Sequence, residues 1–76
     1  MKKLLILVPK DSLLNTYLNK SFRVYVQVAE IDDVVYYKFI GLSNSMETIS
    51  YLVTMFMLSD FSIYCNNGDY TFRVCS

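Results

Sequence analysis

Residues 22–40 read FRVYVQVAEIDDVVYYKFI, and this stretch decides the fold. Side chains alternate along residues 22–29, which predicts a strand whose one apolar face carries Phe22, Val24, Val26 and Val28. Residues 30–33 are mostly acidic and predict a turn, and residues 34–40 predict a returning strand. A loop of even length pairs Val28 with Tyr37 and Val26 with Phe39, so both apolar sets lie on one face. The stretch therefore predicts an antiparallel hairpin.

Upstream, a strand and a short helix are predicted. Residues 4–8 are all apolar and are followed by Pro9, a pattern typical of a central strand that is buried on both faces. Asp11 or Ser12 can cap a helix that runs to about Asn19. Its apolar side carries Leu14, Tyr17 and Leu18.

Downstream, Gly41 ends the strand, and Asn44 with Glu47 forms a capping-box variant that opens a helix to about Leu58. The residues at helical spacing that should face the core are Met46, Ile49, Leu52, Val53 and Phe56. A second apolar stripe, formed by Tyr51, Met55 and Leu58, lies on a neighbouring flank. Either the first helix packs there or the flank is a second partner interface.

The last part of the chain predicts a second hairpin around residues 66–69, NNGD, because Asn-Gly favours a two-residue turn. Its strands, residues 61–65 and 70–75, then pair Cys65 with Tyr70 and Phe61 with Val74. Cys65 is predicted to be in the core, while Cys75 lies at the far end of the hairpin on the other face. The two cysteines are too far apart for a disulfide and are predicted to be free thiols in a reducing compartment.

The order of elements predicts an α+β fold for a single domain over residues 1–76. It fits a ferredoxin-like plait variant, β-α-β-β-α-β plus a C-terminal hairpin strand, with the helices on one face of a mainly antiparallel sheet. The first strand must then expose either Leu5 and Leu7, or Leu4, Ile6 and Val8, on the open face. The alternative is a sheet packed on the long helix alone, with residues 9–20 as a loop.

Composition argues against most enzymatic chemistry. The chain has no histidine, so Ser/His/Asp and Cys/His arrangements are impossible, and its two glycines exclude a glycine-rich phosphate loop. Asp32 and Asp33 are adjacent and point apart on a turn, and Asp69 is explained by the hairpin, so no metal and no cofactor are predicted. The apolar stretch 46–58 is shorter than the ~20 residues that span a bilayer. We therefore expect a non-enzymatic, soluble, cytoplasmic protein without a membrane partner.

Charge is segregated along the chain, although the net charge is zero. The acidic residues fall at predicted turns or helix starts, whereas basic residues share strand parity with tyrosines. The predicted partner-binding face carries Arg23, Tyr25, Tyr36, Lys38, Tyr64 and Arg73. Tyrosine and arginine are also ordinary residues of solvated strand faces, so that explanation stays open.

A basic, tyrosine-lined sheet face is also what a small single-stranded nucleic-acid-binding protein presents. Plaits of this kind include the RNA-recognition motif, but residues 34–39, VVYYKF, lack its Gly-aromatic consensus, and the first strand has no aromatic residue. A homodimer that stacks its open faces would equally use the apolar surplus of a 54% hydrophobic chain.

By general type, the chain resembles small phage-encoded proteins that bind and block a host factor, including anti-CRISPR and other anti-defence inhibitors. The resemblance rests on a compact α+β domain, Tyr/Asn/Ile/Lys-rich usage, missing catalytic groups and surplus apolar surface. It implies steric inhibition of an unidentified host protein in the host cytoplasm, and it carries over no functional residue.

Overall fold

The computed structural model describes residues 3–75 and contains five strands and two helices. In chain order they are β1 (Leu4–Pro9), α1 (Leu13–Lys20), β2 (Tyr25–Ile31), β3 (Val34–Phe39), α2 (Ser45–Met55), β4 (Phe61–Asn66) and β5 (Asp69–Val74). The predicted α+β fold is confirmed. The alternative, in which residues 9–20 form a loop, is wrong because α1 is present.

The strands form one sheet in the order β2-β3-β1-β5-β4. The β2–β3, β3–β1 and β5–β4 pairs are antiparallel, and β1 and β5 are parallel. A simple plait would place the strand after α2 directly beside β1. Here β4 takes the far edge and β5 returns between β4 and β1, which buries Phe72 completely at the centre of the core.

Both helices begin at side-chain caps that the sequence predicts. The Ser12 hydroxyl accepts the Asn15 N–H at 3.1 Å, and the Asn44 side-chain oxygen accepts the Glu47 N–H at 2.8 Å. α2 ends at Met55 rather than at Leu58.

The core lies on the side of the sheet that both helices cover. It consists of Leu4, Ile6, Val8, Leu14, Leu18, Tyr25, Val35, Tyr37, Ile49, Leu52, Phe72 and Val74. The Tyr37 hydroxyl bonds to the Asn15 side-chain oxygen at 2.6 Å and so ties β3 to α1. Met46 is 41% exposed, which corrects its predicted place in the core. Since residues 4, 6 and 8 face the helices, Leu5 and Leu7 are the residues of β1 that face the open side.

The β2–β3 hairpin contains a β-bulge that the alternation of its sequence does not reveal. Near the turn the predicted register holds, with Ile31 opposite Val34 and Ala29 opposite Tyr36. The register shifts by one residue between Gln27 and Ala29, and beyond the bulge Val26 lies opposite Lys38. The predicted pairs of Val28 with Tyr37 and of Val26 with Phe39 are therefore wrong.

One inserted residue exchanges the two faces of β2, because side chains alternate with a period of two. Tyr25 is buried at 5% exposure, whereas Val26 and Val28 are 39% and 54% exposed. The Asn19 side-chain amide donates to the Gln27 side-chain oxygen at 3.5 Å, which places Gln27 on the side of α1. Phe22 and Val24, predicted to be apolar positions of this strand, lie in the turn before it and are exposed.

The β4–β5 hairpin confirms the predicted register, with Cys65 opposite Tyr70 and Phe61 opposite Val74. Asn67 and Gly68 form its two-residue turn, both with positive φ, 53° and 84°. Cys65 and Cys75 are free and exposed. The prediction that Cys65 is in the core is wrong, because β4 is an edge strand and much of its helix-facing side stays exposed.

Candidate functional site

The side of the sheet opposite the helices, here called the open face, is left uncovered by the fold. Cross-strand pairing arranges its centre in two rows. The first row is Val26, Lys38, Leu5, Thr71 and Tyr64, and the second is Ala29, Tyr36, Leu7, Arg73 and Ser62. Since strands lie about 4.8 Å apart, Tyr36 and Arg73 stand roughly 10 Å from each other across β1.

The middle of the open face is apolar and its flanks are polar. Leu7 is 7% exposed although no helix covers it, because the longer side chains of Tyr36 and Arg73 flank it on the neighbouring strands. Leu5 is half-buried in the same way beside Lys38. Tyr64 is 64% exposed. The face therefore combines a leucine floor with projecting tyrosine and basic side chains.

The open face carries a small excess of positive charge. Lys3, Lys38 and Arg73 share its strand parity, against the carboxylates of Asp69 and, just before β4, of Asp60. The Asp69 carboxylate accepts the backbone N–H of Lys3 at 3.0 Å and so helps to hold the start of β1 against β5. A depression of about 300 Å³ opens here. Its lining comprises Lys3, Leu4, Leu5, Val28, Lys38, Asp69, Tyr70 and Thr71.

The structure brings together four of the six predicted partner-binding residues. Tyr36, Lys38, Tyr64 and Arg73 all lie on the open face, and their role in binding stays a prediction. The predicted positions of the other two are wrong, for physical reasons that lie in β2. The bulge turns Tyr25 into the core, and Arg23 lies in the turn before β2 rather than in a strand.

The open face also contains residues that the sequence alone does not assign to it. Val26 and Val28 come to it through the bulge, which leaves no mark in an alternating apolar pattern. For β1 the sequence allows either Leu5 and Leu7, or Leu4, Ile6 and Val8, on the open face. Which set lies there depends on which side of the sheet the helices cover. Thr71 follows from the confirmed β4–β5 register, and its parity with Arg73 was a readable signal.

The predicted second interface is only partly assembled. Tyr51 and Met55 lie on the exposed side of α2, at 55% and 40% exposure. α1 approaches this flank through Tyr17, which lies beside Tyr51 and packs its ring edge-on against that of Phe56, just after α2, with the centroids 5.3 Å apart. Leu58 lies beyond the end of the helix and is half-buried against the core, so it does not continue the flank.

Aromatic rings fill the space between α1, β2 and α2. The ring centroids of Tyr17 and Tyr25 are 6.3 Å apart, and those of Tyr25 and Phe39 are 5.3 Å apart. Burial, followed by the neighbouring Tyr17 and Tyr51, raises the pKa of Tyr25 to about 12. Burial and Tyr51 also raise the pKa of Tyr17. These hydroxyls therefore stay neutral at physiological pH.

Two electrostatic contacts lie at the rim of the helix side of the sheet, where Glu30 shares its parity with Val35, and Cys65 and Tyr70 share theirs with Leu4. The Lys10 ammonium pairs with the Glu30 carboxylate at 3.2 Å, and this partner raises the pKa of Lys10. The neighbouring thiol of Cys65, directly across the β4–β5 pair, raises the pKa of Tyr70. Both contacts are at the surface and are structural rather than catalytic in character.

Within residues 3–75, no cluster of three or more acidic or cysteine side chains is arranged to hold a metal ion. No helix in this part of the chain has the length and apolar character needed to cross a membrane. Comparison of the chain with protein-family models, with curated proteins and with solved structures yields no match.

Proposed function

We propose that this chain is a non-enzymatic protein-binding module whose open face covers part of a partner protein. The observation that supports this most is the composition of the uncovered sheet face, where Tyr36, Lys38, Tyr64 and Arg73 surround a leucine floor. Tyrosine and arginine are enriched at protein interfaces, and lysine is not. Lys38 accordingly serves to orient the partner, and the tyrosines serve as anchors.

The size of the open face sets how it must bind. Five strands, each about six residues long, give a flat footprint of roughly 500 Å². A typical stable interface buries about 800 Å² on each partner, so area alone cannot account for tight binding. Affinity would come from a few well-packed anchors, among which Tyr64 is the most exposed aromatic residue of the face.

The mechanism that fits such a module is steric inhibition. The chain lacks histidine, and its resemblance in general type to phage-encoded inhibitors favours a host protein, in particular a defence protein, as the partner. The proposed place of action is the host cytoplasm, where the free thiols of Cys65 and Cys75 would stay reduced. Covering a working surface of the target needs no chemistry from the inhibitor.

Charge reversal on the open face tests this proposal. Immobilised wild-type protein and the Lys38→Glu/Arg73→Glu variant are incubated with nuclease-treated bacterial lysate, and the retained proteins are identified by mass spectrometry. Lys20→Glu/Arg23→Glu is the matched control, because it makes the same change in net charge away from the open face. We expect one protein to be retained by wild type and control and lost by the open-face variant. Retention by all three with equal affinity would reject the open face as the interface.

A single-stranded nucleic acid is the second candidate partner, favoured by the same tyrosines beside Lys38 and Arg73. The dependence of binding on salt concentration distinguishes a nucleic-acid partner from a protein partner. If two or three phosphates are contacted, the logarithm of the binding constant for an oligonucleotide should fall with a slope of about −1.4 to −2 against the logarithm of salt concentration. Binding to a protein partner that persists after nuclease treatment, without oligonucleotide binding, favours the inhibitor.

A further inference from the structure

A cleft on the helix side of the molecule, here called the tyrosine cleft, lies between the N-terminal half of α2 and the ends of β2 and β3. Its volume is about 390 Å³, within the range of ligand sites. Its lining comprises Val24, Tyr25, Phe39, Gly41, Leu42, Ser43, Glu47, Thr48 and Tyr51. None of these residues belongs to the open face, so the cleft is a separate surface.

The walls of the tyrosine cleft are aromatic and close-packed. The rings of Tyr25 and Phe39 are 5.3 Å apart and tilted by 43°, and Tyr51 adds a ring that is 55% exposed. Phe39 is held against Gly41 so closely that a Cβ at this glycine would lie 2.5 Å from the ring. Leu42 is fully exposed beside the opening. Aromatic faces are electron-rich and attract cations.

Charge in the tyrosine cleft has one sign. Among the described residues that line it, Glu47 is the one with a formal charge. One carboxylate oxygen of Glu47 accepts the side-chain amide of Asn44 at 2.7 Å, which orients the group. Asn44 also accepts the N–H groups of Glu47 and Thr48, so these two donors of the helix start are satisfied within the cap.

We propose that the tyrosine cleft binds an arginine side chain of the partner protein. The planar guanidinium can stack on a tyrosine ring while its N–H groups bond to the Glu47 carboxylate, a combination that lysine cannot match with a point charge. The inference rests on the proposed protein-binding function, but it adds a second contact region and a chemical preference. Because the cleft and the open face lie on opposite sides of the sheet, a partner that engages both must present its arginine on a part that reaches around the edge of the sheet.

Titration with a small arginine compound tests the cleft without the partner. Nα-acetyl-arginine N-methylamide is added to the ¹⁵N-labelled full chain, and amide shifts are followed by NMR. The citrulline analogue, which has the same shape without the charge, is the control ligand. We expect saturable shifts at Leu42, Thr48 and Tyr51, with binding about tenfold tighter for arginine than for citrulline. No saturable shift at these amides, or equal binding of both compounds, would overturn the proposal.

Two substitutions test separately how the Glu47 charge and the Tyr51 ring contribute to arginine binding. Glu47→Gln keeps an oxygen that can accept the Asn44 amide, and it should reduce arginine binding to the level of citrulline. Tyr51→Leu should also weaken arginine binding. Tyr64→Leu, which changes a similarly exposed tyrosine of the open face, should leave arginine binding unchanged. Unchanged arginine binding in Glu47→Gln and Tyr51→Leu would contradict the assignment. The titration contains no partner protein, so a negative titration leaves the pull-down result on the open face unchanged. A negative pull-down likewise leaves the titration result unchanged.

Discussion

At the scale of single residues, Met57 shows how the chain tolerates local strain. Its φ is 51°, in the left-handed region that a residue with a Cβ rarely adopts. The left-handed conformation at Met57 allows two hydrogen bonds that end α2. The Leu58 N–H donates to the Val53 carbonyl at 3.0 Å, and the Met57 N–H donates to the Thr54 carbonyl at 3.3 Å. This is the Schellman arrangement, which normally has glycine at the position of Met57.

Met57→Gly is therefore expected to stabilise the protein by about 0.5–1 kcal/mol, because glycine adopts this φ freely and the Met57 side chain is 88% exposed. Urea unfolding followed by circular dichroism measures the change. Met55→Gly, the same substitution at the last residue of α2, should destabilise by up to about 1 kcal/mol. Equal signs for the two substitutions would contradict the strain at Met57.

The raised pKa of Tyr25 makes the free energy of unfolding depend on pH in the alkaline range. Its pKa is about 12 in the folded protein, against about 10 in an unfolded chain, so between these values the folded state holds more protons. The contribution of Tyr25 to the free energy of unfolding is fully present below pH ~10 and is lost as the pH rises through ~12. The loss is roughly 2–3 kcal/mol, the equivalent of two pKa units.

Urea unfolding between pH 9 and pH 12 should show this loss, and Tyr25→Phe should flatten it while keeping the ring contact with Phe39. Some slope should remain, because the pKa of Tyr17 is also raised. The same pH dependence in wild type and Tyr25→Phe would show that the Tyr25 hydroxyl does not carry the effect.

At the scale of elements, the two hairpins have the same turn geometry but different sequences. Asp32 and Asp33 have φ of 51° and 64°, as Asn67 and Gly68 have 53° and 84°. Two positive φ values favour Asn-Gly over Asp-Asp.

Exchanging the turn sequences should change stability in opposite directions. Asp32→Asn/Asp33→Gly is expected to stabilise by about 1 kcal/mol, and Asn67→Asp/Gly68→Asp to destabilise by at least as much. Thermal unfolding of both variants measures the effect. If Asp32→Asn/Asp33→Gly lowered the stability, the geometry of the first turn would be wrong.

Prediction from sequence succeeds for the elements with local signals. The caps at Ser12 and Asn44 and the Asn67-Gly68 turn depend on neighbours within a few residues, and the structure has them where the sequence predicts them. The bulge at Val28 has no such signal, because Val24, Val26 and Val28 alternate regularly up to it. That single shift moves Tyr25 into the core and Val26 onto the open face.

At the scale of the whole molecule, the open face exists because both helices pack on one side of a five-stranded sheet. Sequence patterns indicate that such a face is present, but they do not indicate which strand of the last hairpin lies beside β1. Both strands alternate apolar residues, and the choice depends on how β5 packs in the finished core. A homodimer through this face would bring together two surfaces that both carry an excess of positive charge, which disfavours self-pairing and favours a partner of another kind.

The most direct test of the open face is a hydroxyl-radical footprint of the chain, free and bound to the protein that the pull-down retains. The exposed open-face residues Val26 and Tyr64 should lose reactivity on binding, whereas Met57, which is 88% exposed at the end of α2, should keep it. Undiminished oxidation of Val26 and Tyr64 in the complex would show that the partner binds elsewhere.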